Sequence, residues 1–372
     1  MKFSSIPGLT TLKEKLIQSV QAHKVPHAQL FSGPEGVPNL PLAIAFANFL
    51  HCEDRDDNAC GKCSACQKNF KYIHPDTHFI FPISNIKNEK DEDSFKANTL
   101  KRWREFLISN PYGNLNDWVT FYGGEDKNNI ISKDASRDII KTLSLKPFES
   151  QYKVMIIWQP ETMHPSAANG ILKILEEPPS HTYFLLVSNS PDQLMSTILS
   201  RTQRINVPYL SDQEIISFLI QNKGLEEGRA QKITTLSNGN LNVALSLSSQ
   251  EENNYFQTFS QWMRLCFKND TGSLVTLADE YHNLDKLHQK NILSYGLTMM
   301  RETLMDWSSS GLQRALGEEL QFIQRFSKVM NLTKIEGCSQ LFNQAQYHIE
   351  RNGSAKMIFL DTSLKLAALL KS

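Results

Sequence analysis

Four of the six cysteines crowd into the 15 residues 52–66, as Cys52, Cys60, Cys63 and Cys66. Thiolates are soft anionic ligands, and four of them close a tetrahedral shell around Zn²⁺. The run Cys60-x-x-Cys63-x-x-Cys66 sets three thiols on tight turns, with Gly61 easing the first. Cys52 supplies a fourth from the end of an apolar, helix-like run. A shell with no open position makes the ion structural and not catalytic. Iron–sulfur proteins share the C-x-x-C-x-x-C spacing but usually continue to a further Cys followed by Pro, which this chain lacks, so zinc is the expected ion. His51 and His74 are spare candidates. Cys266 and Cys338 stand alone and read as small core hydrophobes. With no sign of secretion, a disulfide framework is not expected.

A second stretch has the outline of phosphate chemistry without its reagents. A loop that grips a nucleoside triphosphate reads G-x-x-x-x-G-K-[ST], with backbone N–H groups around the phosphates, a lysine on the β and γ groups and a hydroxyl on Mg²⁺. Gly33 takes the first glycine's place, and Gly36 follows within the loop. The last three positions read Pro38, Asn39 and Leu40. Pro38 removes an N–H donor, Asn39 brings no charge and Leu40 cannot ligate a metal. The plain alternative is an ordinary strand-to-helix turn capped by Asn39. The partner acids are missing too: the buried run "VMIIWQPE" ends in Trp158-Gln159, where an Asp for Mg²⁺ and a Glu for water would stand, and Glu161 lies too far along to replace them. No ATP is expected on this chain.

Two basic features complete the inventory. Arg201, in "ILSRTQRINV", lies between a short helix and a strand. A fixed arginine there can neutralise a phosphoryl group held by a neighbouring molecule, but spacing alone favours a surface ion pair. Lys101, Arg102 and Arg104 flank Trp103. Basic residues beside an aromatic can meet nucleic acid; the favoured reading is a helix that buries Leu100, Trp103 and Leu107.

These residues need elements to hold them. Buried strands are expected at 27–32, 78–83, 152–158, 182–189 and 202–207, alternating with helices at 9–24, 40–51, 131–145 and 165–179; that alternation predicts a parallel sheet covered on both faces. Residues 84–130 turn polar and charged and read as an insertion with one helix near 94–108. After Pro208 the pattern is all helical, opening with a capping box, Ser211 and Glu214. The C-terminal part predicts a bundle of about five helices. At 372 residues, 40% of them hydrophobic, two or three domains are expected. Lys plus Arg and Asp plus Glu each number 39, so bulk charge gives no affinity for nucleic acid. There is no signal-peptide core and no run of about 20 apolar residues, which predicts a cytoplasmic protein with no membrane partner.

The segments "VPHAQLFSGPEGV", "CGKCSAC", "ILKILEEPP" and "TILSRTQ" resemble the bacterial clamp-loader AAA+ family of the DNA polymerase III holoenzyme. The likeness covers about 1–250. Within the family the degraded loop and missing acids look like the delta-prime branch rather than the hydrolysing gamma/tau branch. The resemblance implies an α/β AAA+ P-loop-type base domain at 1–207, with the zinc module (52–66) and the insertion (84–130), a three-helix lid at 208–248 and an all-α collar at 251–372. It implies partnership through the collar with gamma/tau and delta subunits, a sliding clamp and primed DNA. Residue by residue, Cys52, Cys60, Cys63 and Cys66 match the family's zinc ligands. Arg201 matches the arginine that reaches a neighbour's ATP, an arginine finger acting in trans, although the following Cys of that motif is Thr202 here. Ser188 and Asn189 fall at the sensor-one strand end and are expected to bond only locally. Asn242 stands where active members carry a second sensor arginine. Two rival readings remain open: an active AAA+ ATPase with an atypical phosphate loop, and a zinc-dependent nucleic-acid-binding module.

Overall fold

The computed structural model describes residues 1–84, 92–124, 128–249, 255–315, 317–351 and 353–371. The chain packs as two compact units, one of residues 1–225 with 239–246, the other of 226–238 with 247–372.

The first unit is built on a five-stranded, all-parallel sheet. Its strands are β1 (Ala28–Ser32), β2 (Thr77–Ile80), β3 (Lys153–Trp158), β4 (Thr182–Ser188) and β5 (Gln203–Asn206), in spatial order β2-β3-β4-β1-β5. β1, β3 and nearly all of β4 are buried, because helices cover both faces of a parallel sheet and the runs are apolar throughout rather than alternating. β2 is shorter than the sequence suggests, since Pro82 cannot donate to a ladder.

The helices of this unit are, in order, α1 (Thr10–Gln21), α2 (Asn39–His51), α3 (Ser64–Phe70), α4 (Glu92–Ser109), α5 (Leu115–Tyr122), α6 (Lys133–Ser144), α7 (Pro165–Glu176), α8 (Ser196–Leu199) and α9 (Asp212–Lys223). On one face, Ile139 and Leu143 of α6, Ile171 and Leu175 of α7 and Ile198 of α8 pack onto Leu30, Met155, Ile157, Phe184 and Leu186. The opposite face takes α2, with Phe46 against Phe31. The capping box of α9 forms as read, Ser211 and Glu214 exchanging backbone and side-chain bonds.

The insertion differs from expectation. It carries two helices, α4 and α5, and α5 starts from its own capping box of Asn114 and Asp117. Trp103 and Phe106 of α4 and Trp118 of α5 close an aromatic core with Phe81. Part of the expected insertion, 85–91 and 125–127, lies outside the described residues.

The chain continues through α10 (Glu227–Ser237) and α11 (Leu241–Ser248). Then follow α12 (Tyr255–Lys268), α13 (Thr271–Asn283), α14 (Lys286–Trp307), α15 (Gly317–Phe326), α16 (Leu332–Glu350) and α17 (Ala355–Lys371). These last six helices, among the described residues, and α10 form the second unit; its core stacks Trp262 on Phe359 and Phe359 on Tyr281. Cys266 and Cys338 are buried there, and burial pushes both thiols up to about 12, as suits inert core residues. Among the described residues no helix is long and apolar enough to cross a membrane.

Candidate functional site

Two features at the mouth of β1 decide what the phosphate-loop frame can do. The first is its backbone. Gly33 follows β1 so closely under Val207 that a Cβ would lie 2.3 Å from the Val207 carbonyl oxygen, and Gly36 sits at φ +85°. Three amides of the loop and the first turn of α2 are taken. Val37 donates to Pro34, Asn39 donates to Val37, and Leu40 donates to Oδ1 of Asn39 at 2.8 Å. Pro38 has none to give. Asn39 is not the cap that the sequence suggests: Pro38 holds the cap position, and Asn39 is the first helical residue. Its buried side chain also donates to the Ser188 carbonyl at 3.2 Å, tying the start of α2 to the end of β4.

The second feature is the side-chain network across the strand ends. Trp158 is buried and Gln159 turns away at φ 56°. Gln159 donates to Asn189 at 2.6 Å, and Asn189 donates to the carbonyls of Gly33 (3.2 Å) and Pro34 (3.0 Å). Asn189 therefore does not bond only locally; it reaches a loop more than 150 residues away in sequence. Glu161 accepts the amides of Asn189 and Ser190, each at 3.0 Å. The Glu161 carboxylate is thus fixed as a clasp on the backbone after β4. Asn240 donates to the Glu35 carbonyl, and the Leu241 amide donates to the Gly36 carbonyl at 2.9 Å. Asn242 bonds Asp117 and the Tyr112 carbonyl. The frame is held by bonds within the chain, several of them to the carboxylates of Glu161 and Asp117, and Oε2 of Glu161 is buried without a partner.

The cysteine site is assembled by local structure. Cys52 ends α2, Cys63 caps α3 by accepting the Cys66 amide, and Cys66 lies on the first turn of α3. The four sulfurs all lie within 4.8 Å of one another. A tetrahedral Zn²⁺ at about 2.3 Å from each thiolate needs sulfurs about 3.8 Å apart, so the donor set fits with small adjustments. The Cys60 sulfur accepts the amides of Lys62 and Cys63, which hold its thiol down to about 6. Burial pushes Cys52 and Cys66 upward. The spare histidines do not join the cluster. His51 and His74 stack at 4.3 Å, and Nδ1 of His51 lies 2.8 Å from the Ser150 hydroxyl.

Arg201 projects from the turn after α8 and is paired with Glu176 of α7. It also donates to the Thr197 carbonyl at 2.8 Å, while its Nε is buried without a partner. Thr202 bonds back to Ile198. In the isolated chain the guanidinium thus rests in an ion pair. In the basic run of α4, Trp103 and Leu107 are buried as expected but Leu100 is only half-buried, while Arg102 donates to the Tyr122 carbonyl and Arg104 to the Tyr72 carbonyl. The sequence reading missed α5 and its bonds to Glu35 and Asn242; the Asn114-x-x-Asp117 capping pattern before Trp118 was the available signal.

The profile of the family described as DNA polymerase III, delta subunit, matches residues 8–211, more than half of the chain. DNA polymerase III subunit tau of Bacillus subtilis (strain 168) is 27% identical over 255 residues, covering 67% of this chain and 37% of tau. DNA polymerase III subunit delta' of Escherichia coli (strain K12) is 24% identical over 242 residues, covering 65% of this chain and 60% of delta'. The chain therefore spans less than two thirds of the length of these relatives. A solved structure of a gamma subunit-related DNA polymerase III protein from Thermotoga maritima aligns over 96% of this chain and 99% of its own, at 14% identity and TM-score 0.42. With its parallel sheet flanked by helices and its profile match, the chain belongs to the DNA polymerase III delta-subunit family of clamp-loader AAA+ proteins.

Proposed function

We propose that this chain is a non-hydrolysing, delta-prime-type subunit of the clamp loader. It binds no nucleotide of its own, helps load the sliding clamp onto primed DNA and lends Arg201 to the ATP of an adjacent gamma/tau subunit. The observation that carries this reading is the filled loop. The amides of Val37, Asn39 and Leu40 are internally bonded, and Asn189 occupies the carbonyls of Gly33 and Pro34. A triphosphate brings about four negative charges, and here it would meet no lysine, no metal-binding acid and few free donors.

In this reading 1–207 is the base domain, 208–248 a helical lid and 251–372 the collar through which the gamma/tau and delta subunits assemble. Cys52, Cys60, Cys63 and Cys66 hold a structural Zn²⁺, which would pin the end of α2 to α3 and through Cys60 to the N-terminal segment, where Lys2 donates to the Cys60 carbonyl. The role is cytoplasmic. Arg201 must leave Glu176 to act; in the assembled ring the neighbour's phosphates, more densely charged than a carboxylate, would draw it away.

The test has two arms. Calorimetry of the purified chain with MgATP is expected to show no binding. Arg201→Ala in a loader reconstituted with gamma/tau and delta is expected to lower ATP turnover, since an arginine supplied in trans contributes on the order of 10³–10⁵ in related phosphoryl transfers. Unchanged turnover removes the trans role. The 27% identity to tau supports the rival reading of an active ATPase, and DNA-stimulated hydrolysis by the pure chain would establish that reading instead.

A further inference from the structure

The contacts of the α4–α5 insertion converge on Glu35 of the loop and on Trp158 and Asn242. Asn114, the cap of α5, donates to the Glu35 carboxylate in the loop at 2.6 Å. Asp117, its capping-box partner, accepts from Asn242 at 2.7 Å, and the Tyr112 carbonyl accepts from the same amide at 3.0 Å. Asn242 is the residue standing where a phosphate-sensing arginine is expected. Trp158, standing where the magnesium acid is expected, lies 5.0 Å from Trp103 of α4 and 6.4 Å from Phe106. The Tyr112 ring meets Phe218 of α9 edge-on at 5.8 Å, and its hydroxyl donates to the Ser5 carbonyl. Trp158, Asn242 and the loop residue Glu35 thus each have a partner in α4, α5 or the turn between them.

We propose that the α4–α5 insertion is a built-in replacement for the nucleotide: it bridges the loop to the start of α11 and holds them together without any ligand. The proposal rests on the reading that the loop binds no nucleotide. A protein that closes around a ligand gains that closure only when the ligand is present, because the contacts joining the two sides run through it. Here they run through Asn114, Asp117 and the Tyr112 carbonyl, all part of the chain. The Asn240–Glu35 and Leu241–Gly36 bonds close the same seam directly. The geometry of 239–246 against the loop is therefore constitutive, and a neighbouring subunit would meet one fixed surface whatever the nucleotide concentration.

Hydrogen exchange of the full-length chain tests this. In the wild type the Leu241 amide and the amides of Gly113, Asn114, Asp117 and Trp118 are expected to be protected without nucleotide and unchanged by MgATP. Asn242→Ala removes two hydrogen bonds and should speed exchange at Leu241 on the order of tenfold, leaving β1 and β3 unaffected. Asn114→Ser keeps a capping oxygen for α5 but cannot reach Glu35, so it should loosen the loop and leave α5 protected. No change at Leu241 in Asn242→Ala, or none at the loop in Asn114→Ser, overturns the bridge while leaving the empty-loop reading intact. Slowed exchange at 33–40 and 239–246 on adding MgATP to the wild type overturns the empty-loop reading itself, and the bridge with it.

Discussion

Restoring the missing lysine should harm this protein rather than revive it. Asn39→Lys is the substitution that would return the phosphate-loop charge. Asn39 is 4% exposed and makes two bonds, from its amide to the Ser188 carbonyl at 3.2 Å and from the Leu40 amide to its own oxygen at 2.8 Å. Each such bond contributes about 1 kcal/mol net, and leaving its buried partner unpaired costs about 1–3 kcal/mol. The longer side chain must also carry an ammonium group into a site where Asn39 is almost fully buried. The sum is a loss of about 3 kcal/mol, read as a lower urea midpoint for the full-length chain. MgATP distinguishes damage from repair. A ligand at a hundred times its Kd raises stability by about 2.7 kcal/mol, so even a weakly repaired site would show a midpoint rising with millimolar MgATP. No such rise is expected, because the amides of Val37 and Asn39 and the strand-end network remain filled. A variant as stable as wild type, or one rescued by MgATP, would refute the claim that the loop is closed by its own bonds.

Other outcomes follow from the same contacts. Arg201→Ala should change the isolated chain's stability by less than about 1 kcal/mol, since its ion pair with Glu176 is partly exposed, while turnover of the reconstituted loader falls at least tenfold. Metal analysis should find one zinc per chain; Cys66→Ser should lose it and lower the thermal midpoint, because a structural zinc site contributes its binding energy to folding. Burial holds His78 down to about 4, and its Nε2 has no partner. Below its ordinary value near 6.5 the unfolded chain takes up a proton that the folded chain refuses, so this contribution is whole above that pH and is lost as pH falls toward 4. A shift of that size corresponds to roughly 3 kcal/mol. His78→Phe should flatten the stability profile between those limits, and a profile identical to wild type would count against the assignment.

How much of this was legible in the sequence depends on the range of the interactions. β3 and β4 announce themselves, because a strand buried on both faces is an unbroken apolar run. The four cysteines converge through turns and a short helix that their own spacing dictates, so the cluster could be read locally. The capping box of α9 was readable for the same reason. The one before α5 carries an equivalent signal, but it stands in a segment rich in Asn, Gly and charge that resembles loop; α5 is fixed by Trp118 packing on Trp103 and on Phe81, contacts that lie outside its own sequence window. Asn39 was read as a cap because Asn is a good one, yet the proline before it already supplies a suitable backbone bend and frees its side chain to reach Ser188. The bonds of Asn189 to the loop span more than 150 residues, and no local pattern encodes them.

Residues 39, 158 and 242 lie far apart in the sequence, and the structure fixes each of them by contacts of its own. Asn39 joins α2 to β4, Trp158 packs on Trp103 and Asn242 bonds Tyr112 and Asp117, so each position stabilises the fold as it stands. A return to Asp at 158 would bury a carboxylate beside the rings of Trp103 and Phe106, where burial favours its neutral form and thus weakens it as a metal ligand. A return to Arg at 242 would break both bonds of the amide and place a guanidinium beside Asp117, which would hold it away from any phosphate. Each single reversion lowers stability or is intercepted before a nucleotide can offset the change. β1, its glycine turn and α2 build the sheet, while Asn39 is held by Ser188 and both Trp158 and Asn242 are held by the insertion.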